Sequence, residues 1–198
     1  SGYIVTDCKS SASGELVIPN THNSLPVTSI GESAFRNCPN LTDIQIPNSV
    51  SSIGFAAFAG CRSLIGLTIP DGVIILSEST FAGCIALQSV AIPDSVSSIE
   101  KEAFYLCSSL SSVTIPSNVD IIGVAAFAGC SSLIDVSIPN SNAVLGSAVF
   151  ADCVSLINVA LPSNISILQE ATFRNCSSLT SILIPPVSYT HLTLPTTY

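Results

Sequence analysis

The chain has 198 residues and carries 5 Lys and Arg against 13 Asp and Glu, for a formal net charge of −8. Basic residues this few, scattered at Lys9, Arg36, Arg62, Lys101 and Arg174, cannot neutralise a phosphate backbone or hold an anionic bilayer, which argues against nucleic acid and membrane surfaces as partners. No apolar run approaches the roughly 18 residues of a membrane span, so no membrane insertion is expected in this segment.

In chain order, residues 1–24 stand outside any period. Tyr3-Ile4-Val5 and Leu16-Val17-Ile18 are short apolar runs on either side of a polar stretch from Asp7 to Gly14, which reads as a β-hairpin capping the first unit, and Asn20 to Ser24 reads as an insertion loop. From Leu25 to Pro185 one pattern returns every 23 residues, giving an array of about seven units. Ile46, Ile69, Ile92, Ile115, Ile138, Leu161 and Ile184 each precede a proline, and Cys38, Cys61, Cys84, Cys107, Cys130, Cys153 and Cys176 keep the same step.

Within a unit, trios such as Leu87, Val90 and Ile92 end in the alternation of a strand with one buried face, and the proline that follows cannot donate to a ladder, so it marks the strand end. The return segment places pairs such as Val73 and Leu76 inward. Asn142 breaks that rule, and a local shift bringing in Val144 is the expected compensation. Next comes a small residue and a phenylalanine: Phe35, Phe58, Phe81, Phe104, Phe127, Phe150 and Phe173 are expected to stack in the core on one or two helical or 3₁₀ turns.

The run of I-P, V-x-x-I-G, A-F-x-x-C and L-x-x-V-x-I-P closely resembles the leucine-rich repeats of the BspA type, over about Leu25 to Pro185. The resemblance implies a repeat solenoid: a right-handed superhelix with a concave parallel β-sheet of short strands, and turns with 3₁₀ or helical turns on the convex side. It also implies surface or secreted proteins with roles in adhesion, hence an extracellular or cell-surface location.

Cysteine chemistry is not expected. Units of a parallel stack lie about 4.8 Å apart, so thiols two units apart are about 10 Å apart, too far to share one zinc with bonds near 2.3 Å. In-register side chains also keep their Cβ atoms beyond the usual disulfide range. The ladder therefore reads as free, buried thiols, with Cys8 unassigned. His22 and His191 sit near no recognisable nucleophile and carboxylate, and Asp71 and Asp94 follow the strand proline where turn formation explains them. No catalytic, metal or cofactor site is expected. Glycosylation sequons occur at Asn40, Asn164 and Asn175.

The residues alternating outward along the strands form the candidate concave binding surface: Asp43, Gln45, Thr68, Ser89, Ser112, Thr114, Asp135, Ser137, Asn158 and Ser181. The leading reading is a non-catalytic recognition or adhesion segment that binds a protein or glycan ligand of a host or neighbouring cell through this face. The alternative is a structural spacer or self-assembling array within a larger surface protein. Residues 186–198 lose the register and form an irregular tail, either a cap or, because VSYTHLTLPTTY resembles sequencing-adapter read-through, a non-native addition. The chain contains no Met, which fits either a mature product whose leader has been removed or a fragment of a longer reading frame; a non-native tail favours the fragment, for which end-to-end self-association is expected.

Overall fold

The computed structural model describes residues 2–9 and 11–183; the expectations for Ile184, Pro185, the tail and His191 lie outside them. The backbone winds into a parallel β-solenoid of about eight turns, with no helix among the described residues. Each coil has three sides, and each side repeats one short piece of the 23-residue pattern.

The first side is the ladder read from the L-x-x-V-x-I-P segments: Asn40–Gln45, Gly66–Leu67, Ser89–Ala91, Ser112–Thr114, Asp135–Ser137, Asn158–Ala160 and Ser181–Leu183. Neighbours run parallel with equivalent residues opposed, as Val113 faces Val90 and Val159 faces Val136 and Ile182. A one-residue slip would turn every valine to solvent, so burial of the central residue holds the register. The proline closes the strand as its missing N–H requires, and its carbonyl also accepts the N–H three residues on. Val50, Val73, Val96 and Val119 donate to Pro47, Pro70, Pro93 and Pro116 at 3.0 to 3.2 Å.

The second side carries two-residue strands, Ser52–Ile53, Ile75–Leu76, Ser98–Ile99, Ile121–Ile122 and Val144–Leu145, whose second residue is buried. It is less polar outside than a solvated convex face would be, because Ile75, Ile121 and Val144 lie open to solvent here. The compensation at Asn142 also differs from expectation. Val144 stays exposed opposite Ile121, and Ala143 moves into the buried place, its N–H reaching the Asn140 carbonyl at 3.2 Å. The polar side chains drive this shift. Asn140 accepts the Asn142 N–H at 3.0 Å and donates to Asp120 at 2.9 Å, while Asn142, exposed, accepts from Asn164 at 2.9 Å.

The third side corrects the expectation of helical turns. Its backbone alternates: Ala56, Phe58 and Gly60 donate their N–H groups to the next coil at Glu78, Thr80 and Ala82, whereas Ala57, Ala59 and Cys61 donate three residues back within their own coil. A helix would direct every N–H along its own axis and leave the coil edges unbonded; the alternation satisfies both directions at once. It requires two left-handed residues per coil. These fall at Ser33, Ala56, Ser79, Glu102, Ala125, Ala148 and Ala171, and four residues later at Asn37, Gly60, Gly83, Leu106, Gly129, Asp152 and Asn175. The phenylalanines between them stack with centroids 5.2 to 5.9 Å apart and planes within 17°. From Phe35 to Phe150 they are fully buried, which makes them core and removes them as a ligand platform.

The N-terminal residues do not form the expected hairpin cap. Tyr3–Val5 runs parallel to Leu25–Ile30, and Ser13–Val17 runs parallel to Asn40–Gln45, so the two segments join different sides of the solenoid and make a first, irregular coil. Apolar faces at Tyr3, Val5 and Leu16 find more buried surface on the stack than on each other. A hairpin does form, but in the insertion: Thr21–His22 pairs antiparallel with Leu25 and Pro26 across Asn23 and Ser24, both left-handed.

Candidate binding face

The ladder of the first side presents all ten candidate residues to solvent. Asp43, Gln45, Thr68, Ser89, Ser112, Thr114, Asp135, Ser137, Asn158 and Ser181 are each exposed, flanking a buried or half-buried residue on the same strand. Parallel register brings equivalent positions side by side, so the sequence step becomes a set of polar columns. In one column Ser181 donates to Asn158 at 2.6 Å and Asn158 donates to Asp135 at 2.7 Å, a chain of three side chains that fixes its own rotamers and ends on a carboxylate. At the other end Gln45 donates to Glu15 at 2.6 Å.

Glu15 was not among the candidates; it reaches the face because Ser13–Val17 pairs with Asn40–Gln45. The insertion breaks the 23-residue step there, which leaves no repeat register by which to place it. The C-terminal half of the face also holds a shallow open depression of about 500 Å³, floored by Val113, Val136 and Val159 and rimmed by Asp135, Ser137, Asn158, Ala160, Ser181 and Leu183. Ala160 and Leu183 bring apolar surface to this rim, and Leu183 is 65% exposed. A surface of this kind offers hydroxyls, amides and one carboxylate beside small apolar patches, and that chemistry suits hydrogen bonding to a ligand laid across several coils.

The other chemistry-bearing residues go elsewhere. All eight cysteines are free thiols. From Cys61 onward each thiol donates to the carbonyl of a phenylalanine one coil back: Cys61 to Phe35 at 3.0 Å, then Cys84, Cys107, Cys130 and Cys153 to Phe58, Phe81, Phe104 and Phe127 at 3.2 Å each, and Cys176 to Phe150 at 3.0 Å. These bonds were not legible as such in the sequence, although the equal steps of Cys and Phe contain them. Burial pushes the thiol pKa of Cys84, Cys107 and Cys130 well above the ordinary value, that of Cys61 up to about 11 and that of Cys153 up to about 12. Such thiols are poor nucleophiles and poor metal ligands.

His22 packs edge-on against Tyr3, with centroids 4.7 Å apart. Asp71 and Asp94 lie exposed in the turns after the strand prolines. Lys101 bridges Glu78 at 2.9 Å and Glu102 at 3.5 Å, and the Glu78 bond raises its pKa. Hydrogen bonds from Asn175 and Arg174 lower that of Asp152. Among the described residues no three His, Cys, Asp or Glu groups converge on a metal-sized site, and no helix is long and apolar enough to cross a membrane.

The geometry has counterparts in known proteins. The family described as the BspA type leucine rich repeat region matches in six copies, over residues 28–154 and 97–193. A leucine-rich repeat protein from Bacteroides ovatus is 36% identical, with a TM-score of 0.80 over 88% of this chain and 46% of its own; this chain thus spans less than half of it. The leucine-rich repeat protein of T. pallidum is 30% identical, with a TM-score of 0.60 over 91% of this chain and 73% of its own. The pneumococcal vaccine antigen PcpA shares the fold, at 19% identity and a TM-score of 0.58 over 82% of this chain and 49% of its own. No curated protein matches the chain in sequence. Repeat step, parallel ladders and relatives agree: the chain belongs to the BspA-type leucine-rich repeat family.

Proposed function

We propose that this chain is a non-catalytic recognition segment of a secreted or cell-surface protein, and that it holds a protein or glycan on the first-side ladder. The observation that carries this reading is the contrast within each strand. The inward residue stays Ile, Leu or Val from coil to coil, while the outward neighbours change from Asp43 and Gln45 to Ser112 and Thr114 to Asn158 and Ala160. A spacer needs only the inward residues; a binding surface uses the outward ones. The B. ovatus and T. pallidum proteins are leucine-rich repeat proteins and PcpA is described as a vaccine antigen, which supports a surface location. The ladder offers no Trp, Tyr or Arg of the kind that dominates tight interfaces, so affinity here comes from many small contacts along the coils.

The test is a glycan microarray probed in parallel with an array of extracellular-matrix proteins. Thr114→Arg and Ser137→Arg should weaken any hit by at least about tenfold, because each puts a long charged side chain across the columns. Asp71→Arg, in the turn beyond the strand proline and outside the columns, should leave it intact. Hits that survive both ladder substitutions, or no hits on either array, favour the spacer reading instead.

A further inference from the structure

We propose that Cys8 and Cys38 are a disulfide-forming pair that fastens the first coil to the rest of the stack. The two sulfurs converge on one acceptor: Cys8 Sγ lies 3.5 Å and Cys38 Sγ 3.8 Å from the Lys9 carbonyl oxygen. Elsewhere in the ladder each sulfur is drawn to a separate phenylalanine carbonyl, which keeps neighbours on their own coils.

The repeat explains the exception. The acceptor for a ladder thiol is the phenylalanine 26 residues earlier, and for Cys38 that position is Ala12, in a coil that has no phenylalanine turn. Cys38 is left to share Lys9 with Cys8. The two also differ in access: Cys38 is buried, whereas Cys8 is half-buried on the irregular segment between Tyr3–Val5 and Ser13–Val17. Its described residues belong to no strand ladder, which leaves the backbone at Cys8 room to reach disulfide geometry. The ladder thiols, set in strands and turns of fixed step, have none.

A small disulfide such as oxidised glutathione is the oxidant. The Cys8 thiolate attacks one of its sulfurs, forming a mixed disulfide and expelling one small thiolate. Cys38, on losing its proton, then attacks the Cys8 sulfur, closing the Cys8–Cys38 bond and expelling the second. The two protons lost by the cysteines end on two small thiols; the pair is oxidised by two electrons and the reagent reduced by two.

The experiment incubates the full chain with oxidised glutathione, denatures it, labels the remaining thiols with a maleimide and digests with trypsin. The expected product has two fewer labels than the untreated chain and a linked pair of peptides, 1–9 with 37–62. Fragmentation between Cys38 and Cys61 places the bond on Cys38. Cys8→Ser, a substitution at a half-buried site, should fold normally and keep every remaining thiol after the same treatment. Closing a loop of this length should raise the midpoint of thermal unfolding by about 7 to 14 °C, and Cys8→Ser should not show the rise. A full complement of thiols after treatment, a glutathione adduct that stays on Cys8, or a bond found between Cys38 and Cys61 would each overturn the proposal.

Discussion

The third side of the solenoid and the first differ in what stays the same from coil to coil. On the third side Phe and Cys recur unchanged, their side chains are sealed inside from Phe35 to Cys153, and the backbone bonds alternately along the stack and within the turn. On the first side only the inward residue recurs, and the outward columns vary in charge and size. One side therefore holds the coils together and the other displays what distinguishes them. The sharpest way to separate them is to perturb one and watch whether the other responds.

Raising the pH should act on the third side alone and produce the largest effect. A thiol in open solvent titrates near 9.0, while in the fold Cys61 is held at about 11, Cys153 at about 12 and three more thiols well above 9.0, all by burial. Above pH 9 the unfolded chain has therefore lost protons that the folded chain keeps, and stability falls as the pH rises. The contribution is intact below about 9 and drains away toward the folded pKa values. Each thiol adds a slope of about 1.4 kcal/mol per pH unit once its unfolded form is ionised, and several act together. Urea midpoints between pH 8 and pH 10, under reducing conditions, measure it. Cys107→Ala should flatten the slope by one thiol's share; an unchanged slope would assign the loss to other groups.

Phenylalanine deletions come next in size. Phe104→Ala, between two stacked neighbours and fully buried, should cost about 3 to 5 kcal/mol by urea unfolding. Phe173→Ala should cost roughly half as much, because that ring is only partly buried. Thr114→Arg on the first side should stay within about 0.5 kcal/mol of the parent. Equal losses at Phe104 and Phe173 would mean that the column unfolds as one unit and does not grade toward its end.

The same contrast marks how much could be read from the residues alone. Strand position, inward face, phenylalanine column and free thiols follow from a 23-residue step, because identical residues at identical intervals can only stack. The outward placement of the ten candidate residues followed too, since a two-residue period fixes the face once the valine is placed inside. What the step did not carry was anything set by backbone conformation. Ser33, Ala56 and Glu102 give no glycine signal for the left-handed conformation they adopt, so the turns read as helical when they are not. Nor could it describe residues outside the period: Tyr3–Val5 and Ser13–Val17 resemble hairpin arms locally, and only the open end of the stack makes parallel pairing the better use of their apolar faces. Asn142 failed for a related reason. The residue that fills its place, Ala143, is too small to have suggested itself, and the asparagine network that moves it spans three coils.

A smaller effect than the phenylalanine deletions tests whether the third side is optimal even where its sequence varies. At the second left-handed position the coils carry Asn37, Gly60, Gly83, Gly129, Asp152 and Asn175, all residue types that accept this conformation, and one that does not: Leu106, at φ 58. A leucine there costs about 1 to 2 kcal/mol of backbone strain. Glycine removes the strain but gives back about 0.5 to 1 kcal/mol in chain entropy, so Leu106→Gly should gain about 0.5 to 1 kcal/mol in urea unfolding. The leucine side chain is 45% exposed, which limits what its removal can lose, although its Cδ2 lies where a Cβ on Gly129 would stand and so packs against the next coil. Leu106→Asn separates the two contributions, since asparagine tolerates the conformation and keeps a side chain over Gly129. If both variants gain, backbone conformation rules this side; if both lose, a half-exposed leucine contributes more to coil stacking than the backbone strain takes away.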